Sequence, residues 1–176
     1  APDGSGGAII TWYDYRNGSW GADLYAQRVS SSGVAQWAAD GVPVCTAAGA
    51  QAWPRIIPDG SGGAFITWSD TRSLGDSDIY AQRILPGGAV QWPAGGVALC
   101  TATAIQQYPR IVSDGAGGAI VAWSDYRNGA TPDVYAQRIS ADGTVQWTAD
   151  GVPVCTASYE QRPPTVAPDG AGGALV

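Results

Sequence analysis

A chain of 176 residues with 45% apolar content is long enough to bury a sizeable core, and no shift in composition marks a linker or a second domain. The net charge of −6 comes from Asp, one Glu and nine Arg, with no Lys and no His. An acidic chain without a basic stripe argues against nucleic acid as a partner, the absence of His removes the commonest general base and neutral metal ligand, and no run of 18 apolar residues is available to span a membrane as a helix.

Almost every informative residue occurs three times at a step of about 55 positions. Cys45, Cys100 and Cys155 keep that step, as do Trp37, Trp92 and Trp147, Tyr25, Tyr80 and Tyr135, and Asp3, Asp59, Asp114 and Asp169. In its most regular copy the unit opens on Pro109-Arg-Ile-Val, turns through Asp-Gly-Ala-Gly-Gly, and continues as Ala119-Ile-Val-Ala-Trp-Ser-Asp. A short polar loop leads to Asp133-Val-Tyr-Ala-Gln-Arg-Ile. Ala141-Asp-Gly, Thr144-Val-Gln-Trp and Gly151-Val-Pro-Val-Cys-Thr complete the unit. The runs are short, rich in Ile, Val, Trp, Tyr and Thr, and bounded by Gly, Asp and Pro, which predicts strands and turns. No stretch keeps a helical apolar period. The unit is predicted to be a four-stranded antiparallel meander.

One such sheet leaves two apolar faces and two edges open to water, so it needs neighbours. Radial repetition gives a β-propeller, and a unit of this size falls within the range of propeller blades. The expected fold is therefore all-β: a propeller segment of about three four-stranded blades, with repeats near 3–58, 59–113 and 114–168 and the start of a fourth. A parallel β-helix competes, but its rungs are usually shorter. Residues 1–10 and 167–176 occupy the same place in the unit, and about four to eight blades are needed to close a ring. The sequence therefore predicts either a fragment of a longer repetitive protein, with further blades from that same chain, or closure with a second copy.

The cysteines occupy one site in successive units. Stacked sheets lie ~10 Å apart, too far for a disulfide, so all three are expected to be unpaired and buried as small apolar side chains. With no Cys-x-x-Cys and no His, no metal and no cofactor are expected. The pairs Asp14 and Arg16, Asp70 and Arg72, Asp125 and Arg127 recur around one loop and are read as a structural charge network, because a feature copied into every unit serves the unit. The Asp-Gly-x-Gly-Gly segments precede strands rather than helices, and so read as hairpin turns instead of phosphate loops. Trp12, Trp68 and Trp123, like Trp37, Trp92 and Trp147, read as packing between blades. Trp20, Trp53, Tyr108 and Tyr159 break the repeat, lie in or beside loops, and are the candidate ligand-binding residues. The loop between the second and third strands and the loop that leads into the next first strand should project from one face.

The pattern Gly-Gly-Ala-x-x-x-Trp-x-Asp-x-Arg, then Asp-x-Tyr-Ala-Gln-Arg, Gln-Trp and Gly-Val-x-x-Cys resembles the tandem repeats of large secreted or surface bacterial propellers, a loose set that includes sialidase-like rings. The resemblance covers the whole chain. Ser140-Ala-Asp-Gly-Thr-Val-Gln-Trp147 is similar to the Asp-box turn of sialidases but one residue shorter, and Ser30-Ser-Ser-Gly and Leu85-Pro-Gly-Gly lack its Asp. It also faintly resembles the tryptophan-docking repeat of quinoprotein propellers. Neither likeness carries catalytic residues over. The resemblance implies a non-enzymatic binding or scaffolding module of an extracellular or cell-surface protein, taking a protein or carbohydrate ligand. The alternative is part of a glycosidase or sialidase-like propeller enzyme whose catalytic blades lie outside this chain. These differ in symmetry: an enzyme ring should carry one blade with unmatched Asp, Glu, Tyr and Arg facing a pocket.

Overall fold

The computed structural model describes residues 1–18, 21–73, 75–161 and 163–176. All described regular structure is β: β1 (Ala8–Asp14), β2 (Asp23–Val29), β3 (Val42–Cys45), β4 (Gln51–Pro58), β5 (Ala64–Asp70), β6 (Asp78–Ile84), β7 (Val97–Cys100), β8 (Gln106–Ser113), β9 (Ala119–Asp125), β10 (Asp133–Ile139), β11 (Val152–Cys155), β12 (Ala167–Pro168) and β13 (Ala174–Leu175). Two complete antiparallel meanders, β4-β5-β6-β7 and β8-β9-β10-β11, are flanked by β1-β2-β3 and the hairpin β12-β13. Each complete sheet begins at Gln51 or Gln106, upstream of Asp59 or Asp114. Each Asp-to-Asp sequence repeat therefore contributes its last strand to the following sheet. Among the described residues no helix is long and apolar enough to cross a membrane.

Asp side chains shape the tight turns. Asp59 Oδ1 accepts the amide N–H groups of Ser61 and Gly63 at 2.8 Å, and Asp114 does the same for Ala116 and Gly118. An Asx turn of this kind replaces the ladder where the chain reverses. After the third strand, the Val-Gln-Trp run makes only an isolated bridge, Val145 to Ile139, and the ladder resumes at Val152. Gln137 explains the detour: its Oε1 accepts the Trp147 amide at 3.0 Å and its Nε2 donates to Thr148 O at 2.8 Å. Gln27 and Gln82 hold the equivalent turns. Gly41, Gly96 and Gly151 complete them with positive φ, each under an indole where a Cβ would stand 2.6 Å from Trp12, Trp68 or Trp123.

The sheets stack face to face, with β4 against β8 as the most extensive contact between strands of the two complete ones. One core joins Ile9, Leu24, Val44 and Cys45 of the first sheet to Ile66, Trp68 and Ile84 of the second. Another joins Phe65, Trp92, Leu99 and Cys100 of the second to Ile111, Val121, Trp123 and Ile139 of the third. Indole staples cross each gap: Trp37 Nε1 donates to Pro86 O at 3.0 Å and Trp92 Nε1 to Ala141 O at 3.2 Å.

Burial of equivalent side chains depends on which sheet they occupy. Ile66 and Val121 are fully buried, whereas Ile10 at the same place in β1 is 50% exposed. Val44 and Leu99 are buried, whereas Val154 is 45% exposed. The outer face of the first sheet is therefore open at Ile10 and that of the third, on which Ile120 is buried, is open at Val154. Cys155 shares that position and is only half-buried, unlike Cys45 and Cys100. The expectation that all three thiols are buried thus holds for two, because only those two have a sheet packed over them.

Candidate ligand-binding face

The loops after second strands and those before first strands lie together on one end of the stack. Thr71 N donates to Ala50 O at 2.9 Å, Ser77 Oγ to Gln106 O at 2.8 Å, and Ala104 N to Asp76 at 3.3 Å. A glutamine fixes each incoming loop, fully buried at Gln51 and Gln106 and half-buried at Gln161. Gln51 Nε2 reaches Ala47 O and Gly49 O, Gln106 Nε2 reaches Thr103 O and Ala104 O, and Gln161 Nε2 reaches Ala157 O and Tyr159 O.

Trp53 and Tyr108 follow these loops inside β4 and β8, at bulges where two residues stand opposite one of the neighbouring strand. Their φ angles are 56° and 57°. The left-handed region is costly for an aromatic residue, and strain of this kind concentrates at sites that use it. Here it turns the two rings toward each other across adjacent sheets, edge to face with centroids 5.3 Å apart. Trp53 remains 46% exposed.

Trp53 also lines a cleft of about 200 Å³ with Tyr13, Tyr15, Ala50 and Ala52. That volume lies below the ~300 Å³ at which small-molecule pockets begin, so it suits one ring or side chain of a larger ligand. The corresponding cleft in the next gap is lined by Thr71, Ile105, Gln107 and Asp76, and is more polar. The repeated frame therefore presents an aromatic niche once and a polar niche once. Tyr13 and Tyr15 join the sequence candidates here. Tyr13 stands where Ser69 and Ser124 stand in the other sheets, so the same comparison of copies points to it.

Tyr159 belongs elsewhere. Counted back from Asp169 it corresponds to Gly49 and Ala104, and all three adopt positive φ: 73°, 80° and 68°. It is a turn residue, 87% exposed, while Pro163 takes the place of Trp53 and Tyr108. Trp20 lies outside the described residues.

The repeated charges surround the same loops. Asp70 accepts the Trp68 indole at 2.8 Å and the Arg72 guanidinium, and Arg72 continues to Gly95 O at 2.7 Å and to Cys45 Sγ of the preceding sheet at 3.3 Å. Its guanidinium carbon lies 3.8 Å from the Tyr80 ring centre, a cation–π contact. Asp125, Arg127, Tyr135 and Cys100 repeat this arrangement, and Asp14, Arg16 and Tyr25 repeat all but the thiol. Hydrogen bonds from Arg16 and Trp12 hold the Asp14 carboxyl well below the usual carboxylate range. A second series sits at the opposite strand ends: Arg28 with Asp3, Arg83 with Asp59, Arg138 with Asp114. These guanidiniums are occupied by carboxylates and loop carbonyls. Burial pushes the Cys100 thiol up to about 12, which leaves it without nucleophilic character near neutral pH. No group of three or more His, Cys, Asp or Glu among the described residues could hold a metal ion.

No family model matches the chain, and no curated protein matches it.

Proposed function

We propose that this chain is a run of β-propeller blades acting as a non-enzymatic binding or scaffolding module, at the cell surface or outside the cell. The observation that carries the reading is the Trp53–Tyr108 pair, flanked by Tyr13 and Tyr15 on a face whose repeated ionisable groups are engaged in holding loops. Exposed aromatic rings in a shallow cleft favour a carbohydrate, whose apolar ring faces stack on them. Face-to-face sheets with their first strands in the most extensive contact support the propeller, and the open surface at Ile10 and Val154 supports packing of further blades, from the same longer chain or a second copy.

The test is a glycan array followed by calorimetry on the wild type and the Trp53→Ala/Tyr108→Ala double variant. We expect saccharide binding that is lost in the variant while its melting temperature changes little. Equal binding by both proteins refutes the site, and turnover of a glycoside would favour the enzyme reading.

A further inference from the structure

Within the chain the gaps between sheets are closed by recurring bonds, and the two outermost sheets carry the unused halves of that set. Arg72 and Arg127 donate back across a gap to the Cys45 and Cys100 thiols, at 3.3 Å and 3.0 Å. Trp37 and Trp92 donate forward to the carbonyls of Pro86 and Ala141, and Thr101 N donates forward to the Asp150 carboxylate at 2.8 Å. The third sheet carries Cys155, Trp147 and Thr156 at the positions of Cys100, Trp92 and Thr101. The first sheet carries Arg16, Ser31 and Asp40 at the positions of Arg127, Ala141 and Asp150. Trp147 is 36% exposed where Trp92 is 5% exposed, and the Asp14 side chain is more open than those of Asp70 and Asp125.

The first sheet is also one strand short. β1 is its edge, and beyond it only Pro2 bridges to Ala8, whereas β5 and β9 pair along their length with β4 and β8. Residues 161–168 repeat β4 and β8: Gln161 stands where Gln51 and Gln106 stand, and Pro168 stands where Pro58 stands. Of the described residues in that segment, only Ala167 and Pro168 form a ladder, in the hairpin β12-β13. The other arm of this hairpin, Ala174-Leu175, repeats Ala8-Ile9 of β1. A strand edge with open N–H and C=O groups at one end of the molecule thus faces a spare copy of its missing neighbour at the other.

We propose that a second copy of this chain docks head to tail, its first sheet against the outer face of the third, with its β1 taking the place of β13 beside residues 161–168. The register between β4 and β5 then sets Val166 opposite Ile10 and Pro168 opposite Ala8 of the second copy, six residue pairs in place of the two in the hairpin. Arg16 of the second copy reaches Cys155, Trp147 reaches the Ser31 carbonyl, and Thr156 N reaches Asp40. The surfaces open at Ile10 and Val154 are covered together. The contact joins unlike faces, so a closed ring uses both ends of every copy. The docking rests on the blade reading proposed above, to which it adds the partner, and is independent of any saccharide.

Sedimentation velocity on two variants, each spoiling one face, tests it. Ile10→Glu lies on the first sheet and Val154→Glu on the third, both at positions open to solvent in the single chain. The wild type should associate, and each variant alone should remain a monomer with a nearly unchanged melting temperature. An equimolar mixture should regain a dimer, because the intact third sheet of Ile10→Glu meets the intact first sheet of Val154→Glu. A wild type that stays a monomer, or a mixture that sediments as the sum of its parts, overturns the proposal. Self-association of either variant alone would mean that like faces meet, and overturns it as well. In the unsubstituted chain, Cys155 should lose its reaction with a bulky disulfide reagent as concentration rises, since Arg16 of the second copy and the sheet behind it cover the thiol; unchanged reactivity in the associated form counts against the docking. Saccharide binding by a chain that never associates would remove this docking and leave the carbohydrate reading standing, and association without saccharide binding would do the reverse.

Discussion

At the residue scale, the clearest expectation concerns Tyr159. A side chain in the left-handed region costs about 1–2 kcal/mol, and glycine's extra freedom in the unfolded chain costs about 0.5–1 kcal/mol. Gly49 already occupies the equivalent turn, and Tyr159 is almost fully exposed, so little packing is lost. Tyr159→Gly should therefore stabilise the protein by about 0.5–1 kcal/mol, read from urea denaturation. The thiols give a second residue-level expectation. Cys155 should react with a bulky disulfide reagent in the folded, unassociated chain, and Cys45 and Cys100 only after unfolding, because within the chain a packed sheet covers those two alone. Simultaneous reaction of all three would contradict the packing.

The same scale shows why some residues were legible and others were not. Cys, Trp and Tyr recur with the fold period, and their roles follow from that recurrence. Trp53 and Tyr108 were visible as departures from it, but their positive φ was not, since neither residue type signals a left-handed backbone. Tyr159 shares their aromatic character, but counting from Asp169 places it on a turn. Gln51, Gln106 and Gln161 recur just as faithfully as the cysteines. An amide advertises no chemistry until the loop carbonyls that it holds are in view.

At the element scale, the recurring unit is an antiparallel sheet with a charged clasp at each end. Four strands per complete sheet agree with the predicted meander. The displaced start of each sheet could not be read, because a repeat has no intrinsic origin and the Asp turns are its most conspicuous marks. The clasps predict how stability depends on pH. The amides of Ser5 and Gly7, with Arg28, lower Asp3, and at Asp59 and Asp114 burial is outweighed by turn amides and Arg83 or Arg138, so those carboxyls are lowered too. A lowered folded value means stability that is complete above the unfolded value of ~3.9 and is lost as pH falls through the folded values. Asp78, raised mainly by burial, works weakly in the opposite direction. Cys45 and Cys100, raised by burial, give stability that is present below the unfolded value of ~8.5 and is lost as pH rises toward the folded ones. With no His, the urea midpoint should be flat between about pH 5 and pH 8 and decline on both sides. A transition near pH 6.5 would contradict this assignment of the titrating groups.

At the scale of the whole molecule, the described sheets bury their equivalent faces against one another and leave two faces open. Ile10 and Val154 are exposed where Ile66, Val121, Val44 and Leu99 are covered, so the apolar surface continues beyond the cores formed within the chain. Burying a face of this kind is worth roughly 25 cal/mol per Å² of apolar area, a strong drive for one open face to meet the other. The propeller reading requires that both faces be covered, by further blades of a longer chain or by a second copy, because closed rings need about four to eight blades. The most direct measurement is sedimentation equilibrium across a concentration series on the wild type and Ile10→Glu. The account predicts association of the wild type into closed multiples of 18.0 kDa, at least a dimer, and loss of that association when a charge is placed on the open face. A wild type that stays a single 18.0 kDa species at every concentration, indistinguishable from Ile10→Glu, would contradict closure by a second copy.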